Sequence, residues 1–202
     1  QDFLRAHALL SLIRGEGRGA GAPEFIVVID EDTLLRGRHA SSRVECGRGV
    51  DLPIDTLREM AGRSRFVPVV VNRAGVVIRQ GRPVPTPEQL RESLRTPVSL
   101  HAGRSRRFAT RDQRRALRAM YRHCAIPGCH SHVSQTEPHH THDWDHGGNT
   151  DIELLVPLCK HHHDQLHARH WHLTLDDRRR LTITTRDGAI VMTTGPPADQ
   201  WA

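Results

Sequence analysis

The chain has 202 residues, 29 basic against 23 acidic for a formal net charge of +6, and 16 histidines. That length supports one or two domains with a real core, while no stretch approaches the roughly 20 apolar residues of a membrane span and no signal-peptide pattern opens the chain. Three of its four cysteines, Cys124, Cys129 and Cys159, share the window 123–172 with 13 of the histidines, which excludes a secreted disulfide framework and places the protein in the cytoplasm.

Lys160 is the only lysine among the basic residues, a bias that reads as genome composition rather than mechanism. The chain starts at Gln1 inside a helical pattern, so it is expected to be the C-terminal part of something longer. Residues 3–13 put Phe3, Ala6, Leu9, Leu10 and Ile13 on one helical face, and Gly15 to Gly21 end it. Residues 25–29 (FIVVI) read as a buried strand, 53–61 as a helix with Pro53 in its first turn, and 67–71 and 76–78 as two strands joined through Asn72 to Gly75. Together they predict a small α+β unit over residues 1–80. His7 and His39 read as surface or core-edge residues and Cys46 as a reduced thiol.

Residues 81–103 form a proline-rich linker with a short helix at 87–94, because Thr86-Pro87-Glu88-Gln89 has the form of a helix-capping box. Thr110-Arg111-Asp112-Gln113 repeats that form and starts a longer helix carrying Ala116, Leu117, Met120 and Tyr121. Arg104, Arg106, Arg107, Arg111, Arg114, Arg115, Arg118 and Arg122 face one acid, Asp112, for a net +7 in 19 residues. Such a run is either a solvated helix face or a phosphate-contacting arm, since guanidinium forks match phosphate oxygens and displace counterions. Its position beside a metal cluster favours the arm, with the first seven of these arginines as the contacts.

Cys124 and Cys129 form a C-x4-C pair turned by Pro127-Gly128, and Cys159 and His162 form a C-x2-H pair about 30 residues on. Two such pairs supply the four soft or borderline ligands of a structural zinc. His163 and His167 sit one turn apart on a predicted helix over 160–169 and share a face that can bind a second metal. His139 and His140 are neighbours on a predicted strand, so one can reach that metal while the other faces a substrate. A strand, a turn at Gly147-Gly148 and a helix around one metal suit phosphodiester hydrolysis.

The run P-G-C, H-H-x-x-x-W-x-x-G-G-x-T, L-C-x-x-H-H-x-x-x-H and Trp171, over residues 124–171, resembles the HNH endonuclease domain, a ββα-metal module on a treble-clef zinc frame. Residues 100–117 resemble the approach to that domain in an actinobacterial family with a long N-terminal domain of unknown function. Residues 3–79 resemble the end of that domain, anchored by V-I-D-E-D-T-L-L (28–35) and V-V-N-R-A-G-V-V (70–77). The region 83–97 is an insertion relative to the usual spacing. The resemblance implies an α+β chain in which 1–80 closes the N-terminal domain, 81–103 links, 104–195 is the nuclease domain with its basic arm and a terminal β-hairpin, and 196–202 is a tail.

The same resemblance implies hydrolysis of DNA. His140 matches the general base, and His139, His163 and His167 match the ligands of a catalytic Mg²⁺, Mn²⁺, Ni²⁺ or Zn²⁺. Cys124, Cys129, Cys159 and His162 match the structural Zn²⁺ set. One position departs from the pattern: Leu154 stands where the family carries an Asn that holds the base-bearing loop, and a leucine side chain makes no hydrogen bond. Asn149 in the Gly-Gly-Asn-Thr turn is the candidate substitute. Loss of that contact is the basis of the alternative expectation, a catalytically impaired, zinc-stabilised nucleic-acid-binding module. His142 shares the strand face of His140, Trp171 reads as a core anchor, and 172–175 with 181–185 reads as a hairpin that Gly195-Pro196-Pro197 brings to an end.

Overall fold

The structure, a computed structural model, describes residues 64–201, Arg36 and the backbone of two short strands. Those strands, β1 (Val27–Ile29) and β2 (Val44–Cys46), pair antiparallel. The helices expected at 3–13 and 53–61, His7, His39 and the Cys46 side chain lie outside the described residues. The described chain mixes helix and sheet, and none of its helices is long and apolar enough to cross a membrane.

A hairpin of β3 (Val69–Val71) and β4 (Val77–Gln80) turns where Asn72 Oδ1 accepts from the backbone N–H groups of Ala74 and Val76. A single 3-10 turn (Pro87–Gln89) leads into α1 (Leu90–Ser93) where the short helix was expected. Thr86 makes no capping bond there, so only half of the repeated capping signal acts as one. The other half does: ahead of α2 (Arg111–Met120), Thr110 Oγ1 accepts from the Gln113 N–H while Gln113 Oε1 accepts from the Thr110 N–H. Helix α2 then buries Gln113, Ala116, Leu117 and Met120 along one stripe and leaves Arg111 and Arg114 exposed on the other.

The strands that carry the candidate site are β5 (Thr136–His140) and β6 (Leu155–Cys159), antiparallel with Thr136 opposite Cys159 and His140 opposite Leu155. Every residue of β6 is buried, which its run Leu-Val-Pro-Leu-Cys dictates. It feeds directly into α3 (Lys160–Ala168). Leu155, Val156 and Leu158 join Ala116, Leu117 and Met120 of α2 and Leu166 of α3 in one core, with Trp171 packed against it.

The C-terminal region is larger than the expected hairpin. A three-stranded antiparallel sheet runs β7 (His172–Leu175), β8 (Leu181–Thr184), β9 (Ile190–Thr193), and Leu173, Leu181 and Ile183 add to the same core. Nor does Gly195-Pro196-Pro197 end ordered structure. A 3-10 turn (Pro197–Trp201) follows, in which Gln200 Oε1 accepts from the N–H groups of Arg122 and His123, and Trp201 Nε1 donates to Met120 O. The prolines stop the strand, but these side chains satisfy backbone groups left open at the end of α2 and dock the tail.

Candidate functional site

The first ligand cluster starts from a turn. Residues 126–129 form a reverse turn in which the Cys129 N–H donates to Ile126 O, Pro127 sits second and Gly128 takes φ +72° in third place. The Cys124 N–H donates to Ser131 O and the Ala125 N–H to Pro157 O, which lays this turn against β6. Cys159 ends β6 and caps α3, and His162 projects from the helix's first turn. The donor atoms of Cys124, Cys129, Cys159 and His162 all lie within 4.8 Å of one another.

The edges of this cluster suit a metal. Cys129 Sγ and Cys159 Sγ are 3.9 Å apart, and His162 Nδ1 lies 3.6 Å from Cys124 Sγ and 3.3 Å from Cys159 Sγ. Zinc bonded to sulfur at about 2.3 Å and nitrogen at about 2.0 Å in a tetrahedron gives S–S edges of about 3.8 Å and S–N edges of about 3.5 Å. The Cys159 N–H also donates to Cys124 Sγ at 3.4 Å, a contact that steadies a thiolate. Burial pushes the Cys124 thiol up to about 12, opposed by hydrogen bonds from the Ile126 and Cys159 backbone. A thiol so reluctant to ionise alone, grouped with two more sulfurs and an imidazole, is a donor set whose charge a cation would stabilise.

The second cluster lies on the other side of the β6–α3 junction. One residue of helix rotates by about 100°, so His163 turns away from the sulfurs that His162 faces. His163 and His167 share a helix face toward His139 of β5, with ring centroids 4.9 and 5.4 Å from His139. Their donor atoms too lie within 4.8 Å of one another. His139 is 7% exposed, and burial first, then the neighbouring His163 and His167, push its pKa down to about 4. Burial also lowers His163. Three imidazoles with their donor nitrogens this close fit a divalent ion that keeps further positions open.

Strand alternation sends His140 the other way. His140 and His139 both line a cleft of about 340 Å³ with His142, Asp143, His167 and Trp171. Burial and then Arg107 hold the His140 pKa below the usual histidine value. The hydrogen bond expected of Asn149 is made by its neighbour instead: Thr150 Oγ1 is 2.9 Å from His140 Nε2. Leu154 contributes through its backbone, its carbonyl accepting from the Thr141 N–H at 2.8 Å. Gly148 closes the intervening turn where a Cβ would lie 1.9 Å from His142 O, so only glycine fits.

The basic run divides by burial and by the contacts of its members. Arg104 spans the turn, donating to Trp144 O and Gly148 O at 2.8 and 2.9 Å with its guanidinium 4.3 Å above the Trp144 ring. Arg115 pairs with Asp112 at 2.7 Å and its side chain is 11% exposed. Arg107 pairs with Asp145 at 3.1 Å in an exposed position. Arg118 is half-buried, while Arg106, Arg111 and Arg114 are exposed. No family model, no curated protein and no solved structure matches the chain.

Proposed function

We propose that the protein is a metal-dependent endonuclease of the HNH type that hydrolyses DNA phosphodiester bonds. The observation that carries this reading is His140 in a cleft beside a three-histidine cluster that can hold a metal ion. The resemblance of residues 124–171 to the HNH module, and a Cys/His cluster suited to structural zinc on the far side of α3, support it.

In this mechanism His140 takes a proton from a water aligned with the phosphorus and the leaving 3′ oxygen. His139, His163 and His167 would hold a divalent cation, which would supply charge stabilisation for the phosphate and the leaving oxygen. Arg104 keeps the 144–148 turn closed behind the base, through the two carbonyls it spans. Exposed Arg106, Arg111 and Arg114 grip flanking phosphates, which positions the duplex without reading its sequence.

Plasmid cleavage in Mg²⁺, Mn²⁺ or Ni²⁺ tests the reading. Wild type is expected to cut and His140→Ala to lose about 10²–10⁴-fold in rate, the usual contribution of a general base. Absence of cleavage in every metal, with salt-sensitive DNA binding retained, would instead favour the zinc-stabilised binding module that Leu154 suggests. Replacing Arg106, Arg111 and Arg114 together by Ala is expected to flatten the log K against log[salt] slope by about 2 to 3 units. An unchanged slope removes these arginines from the DNA contact.

A further inference from the structure

The side of His140 turned away from substrate chemistry is built with unusual care. Thr150 is wholly buried, and its backbone is held at both ends. Its N–H donates to Gly103 O at 2.9 Å, and its carbonyl accepts from the Ala102 N–H at 3.1 Å and from Gln113 Nε2 at 2.7 Å. Gln113 is the capping residue of α2 and is itself fully buried. A β-branched side chain on so fixed a backbone has little rotamer freedom. Its hydroxyl therefore sits at a set point between two groups: His140 Nε2 at 2.9 Å and the backbone carbonyl of Arg107 at 3.2 Å.

A threonine hydroxyl has one proton to give and lone pairs to receive, whereas a carbonyl only accepts. Arg107 O can only accept, and Thr150 Oγ1 is placed to give it the hydroxyl proton at 3.2 Å. What the hydroxyl offers His140 is then a lone pair, and the imidazole nitrogen facing it must carry hydrogen. We propose that Thr150 is a positioning residue that locks His140 in the Nε2–H tautomer and leaves Nδ1 as the nitrogen that accepts a proton from water. The assignment of a base to His140 rests on the nuclease reading above, but the tautomer does not. It rests on the two contacts of the Thr150 hydroxyl, 3.2 Å to a carbonyl that can only accept and 2.9 Å to His140 Nε2.

The relay also explains why the segment before α2 belongs to the site. Arg107 supplies the carbonyl that orients the Thr150 hydroxyl, while its side chain pairs with Asp145 across the turn. The backbone of Ala102, Gly103 and Arg107 thus acts on His140 from behind, through Thr150.

The test uses the full zinc-loaded chain, labelled with ¹⁵N, and long-range ¹H–¹⁵N spectra of the imidazole rings, with His140 assigned from the His140→Ala spectrum. Wild type is expected to show a protonated, pyrrole-like Nε2 and a pyridine-like Nδ1 at His140. Thr150→Val, which keeps the shape and removes the hydroxyl, is expected to shift both nitrogens toward a tautomer mixture, and Thr150→Ser to restore the wild-type pattern. In plasmid cleavage the valine variant is expected to lose about 10- to 100-fold in kcat at unchanged KM, a share of the base's own contribution, and the serine variant to recover it.

Protonated Nδ1 at His140 in the wild type overturns the proposal, and that measurement does not depend on either Thr150 variant folding. A Thr150→Val spectrum identical to wild type at His140 overturns it as well. A wild type that shows the Nε2–H pattern, with its loss in valine and return in serine, yet cuts no DNA would support the tautomer lock while overturning the nuclease reading.

Discussion

Stripping metal from the Cys124–Cys129–Cys159–His162 cluster is expected to unfold the region around it and lower the melting temperature by roughly 20 °C or more, given apparent zinc contributions of about 10–16 kcal/mol in small structural sites and about 2–4 °C per kcal/mol in a domain of this size. The secondary structure alone cannot hold this region. Strands β5 and β6 have five residues each and α3 has nine, and an isolated hairpin or a helix that short is marginal in water. The cluster ties the 126–129 turn, the end of β6 and the start of α3 to one point, and Cys124 and Cys159 are buried beneath it. Without the ion, sulfurs 3.9 Å apart and an imidazole 3.3 Å from one of them are left to share protons in a desolvated space.

Far-ultraviolet circular dichroism against temperature, before and after a strong chelator and after zinc is returned, checks this. His163→Ala separates the two clusters. His163 is half-buried and His167 exposed, so the second cluster bears on little packing, and this variant is expected to melt within about 3 °C of wild type. If the chelated protein melts where the loaded one does, the quartet is not a structural metal site.

Much of the cluster geometry was legible because it is written in local spacing. A Pro-Gly turn between two cysteines, a cysteine three residues before a histidine, and two histidines one helical turn apart each specify a short piece of backbone. The pieces meet because β5 and β6 pair in a register that places Thr136 opposite Cys159. Capping chemistry was half legible: Thr110 and Gln113 close their box, but Thr86 does not, since the short 3-10 turn at Pro87–Gln89 leaves it no capping bond. The contact to His140 comes from Thr150, one residue beyond the candidate Asn149. An amide looks the better hydrogen-bonding partner in a Gly-Gly-Asn-Thr turn. The backbone bonds of Thr150 to residues 102 and 103 decide otherwise, and pairings across nearly fifty residues leave no mark in a local pattern. The docked tail was illegible for the same reason, since Gln200 and Trp201 act on groups at the end of α2, about eighty residues away.

Arg179 is the residue whose loss is expected to matter most outside the metal clusters, and nothing in the run Arg178-Arg179-Arg180 distinguishes it by sequence. Asp176 closes the turn between β7 and β8, its Oδ1 accepting from the N–H groups of Arg178 and Arg180. This geometry puts Arg179 at φ +59° and sends its side chain inward while Arg180 stays exposed. Buried to 4% exposure, Arg179 donates from Nη1 to Ile152 O at 2.7 Å, from Nη2 to Leu155 O and from Nε to Tyr121 Oη at 3.1 Å. Its guanidinium lies 5.4 Å from the Tyr121 ring centre. Carbonyl dipoles and an aromatic face stabilise the cation.

Arg179→Met keeps most of the apolar stem and removes the donors to Leu155 O and Tyr121 Oη, while Ile152 O keeps the Leu155 N–H. At about 1–3 kcal/mol for each buried acceptor left open, a loss of roughly 2–4 kcal/mol is expected, read as about 5–12 °C in melting temperature. Arg179→Lys, with no planar fork to span three acceptors, is expected to fall between the two. Arg179→Gly relieves the left-handed backbone and separates its strain from the hydrogen bonds, so it should be no worse than Arg179→Ala. A methionine variant as stable as wild type would show that the clamp holds nothing. The consequence reaches the site, because Leu155 pairs with His140 across β5 and β6 and Ile152 heads the 3-10 turn that ends at Leu154. Arg179 thus anchors β6, the partner of the strand whose His140 Thr150 holds from behind, and where Arg179→Lys still folds, the His140 ring resonances should broaden before the protein melts.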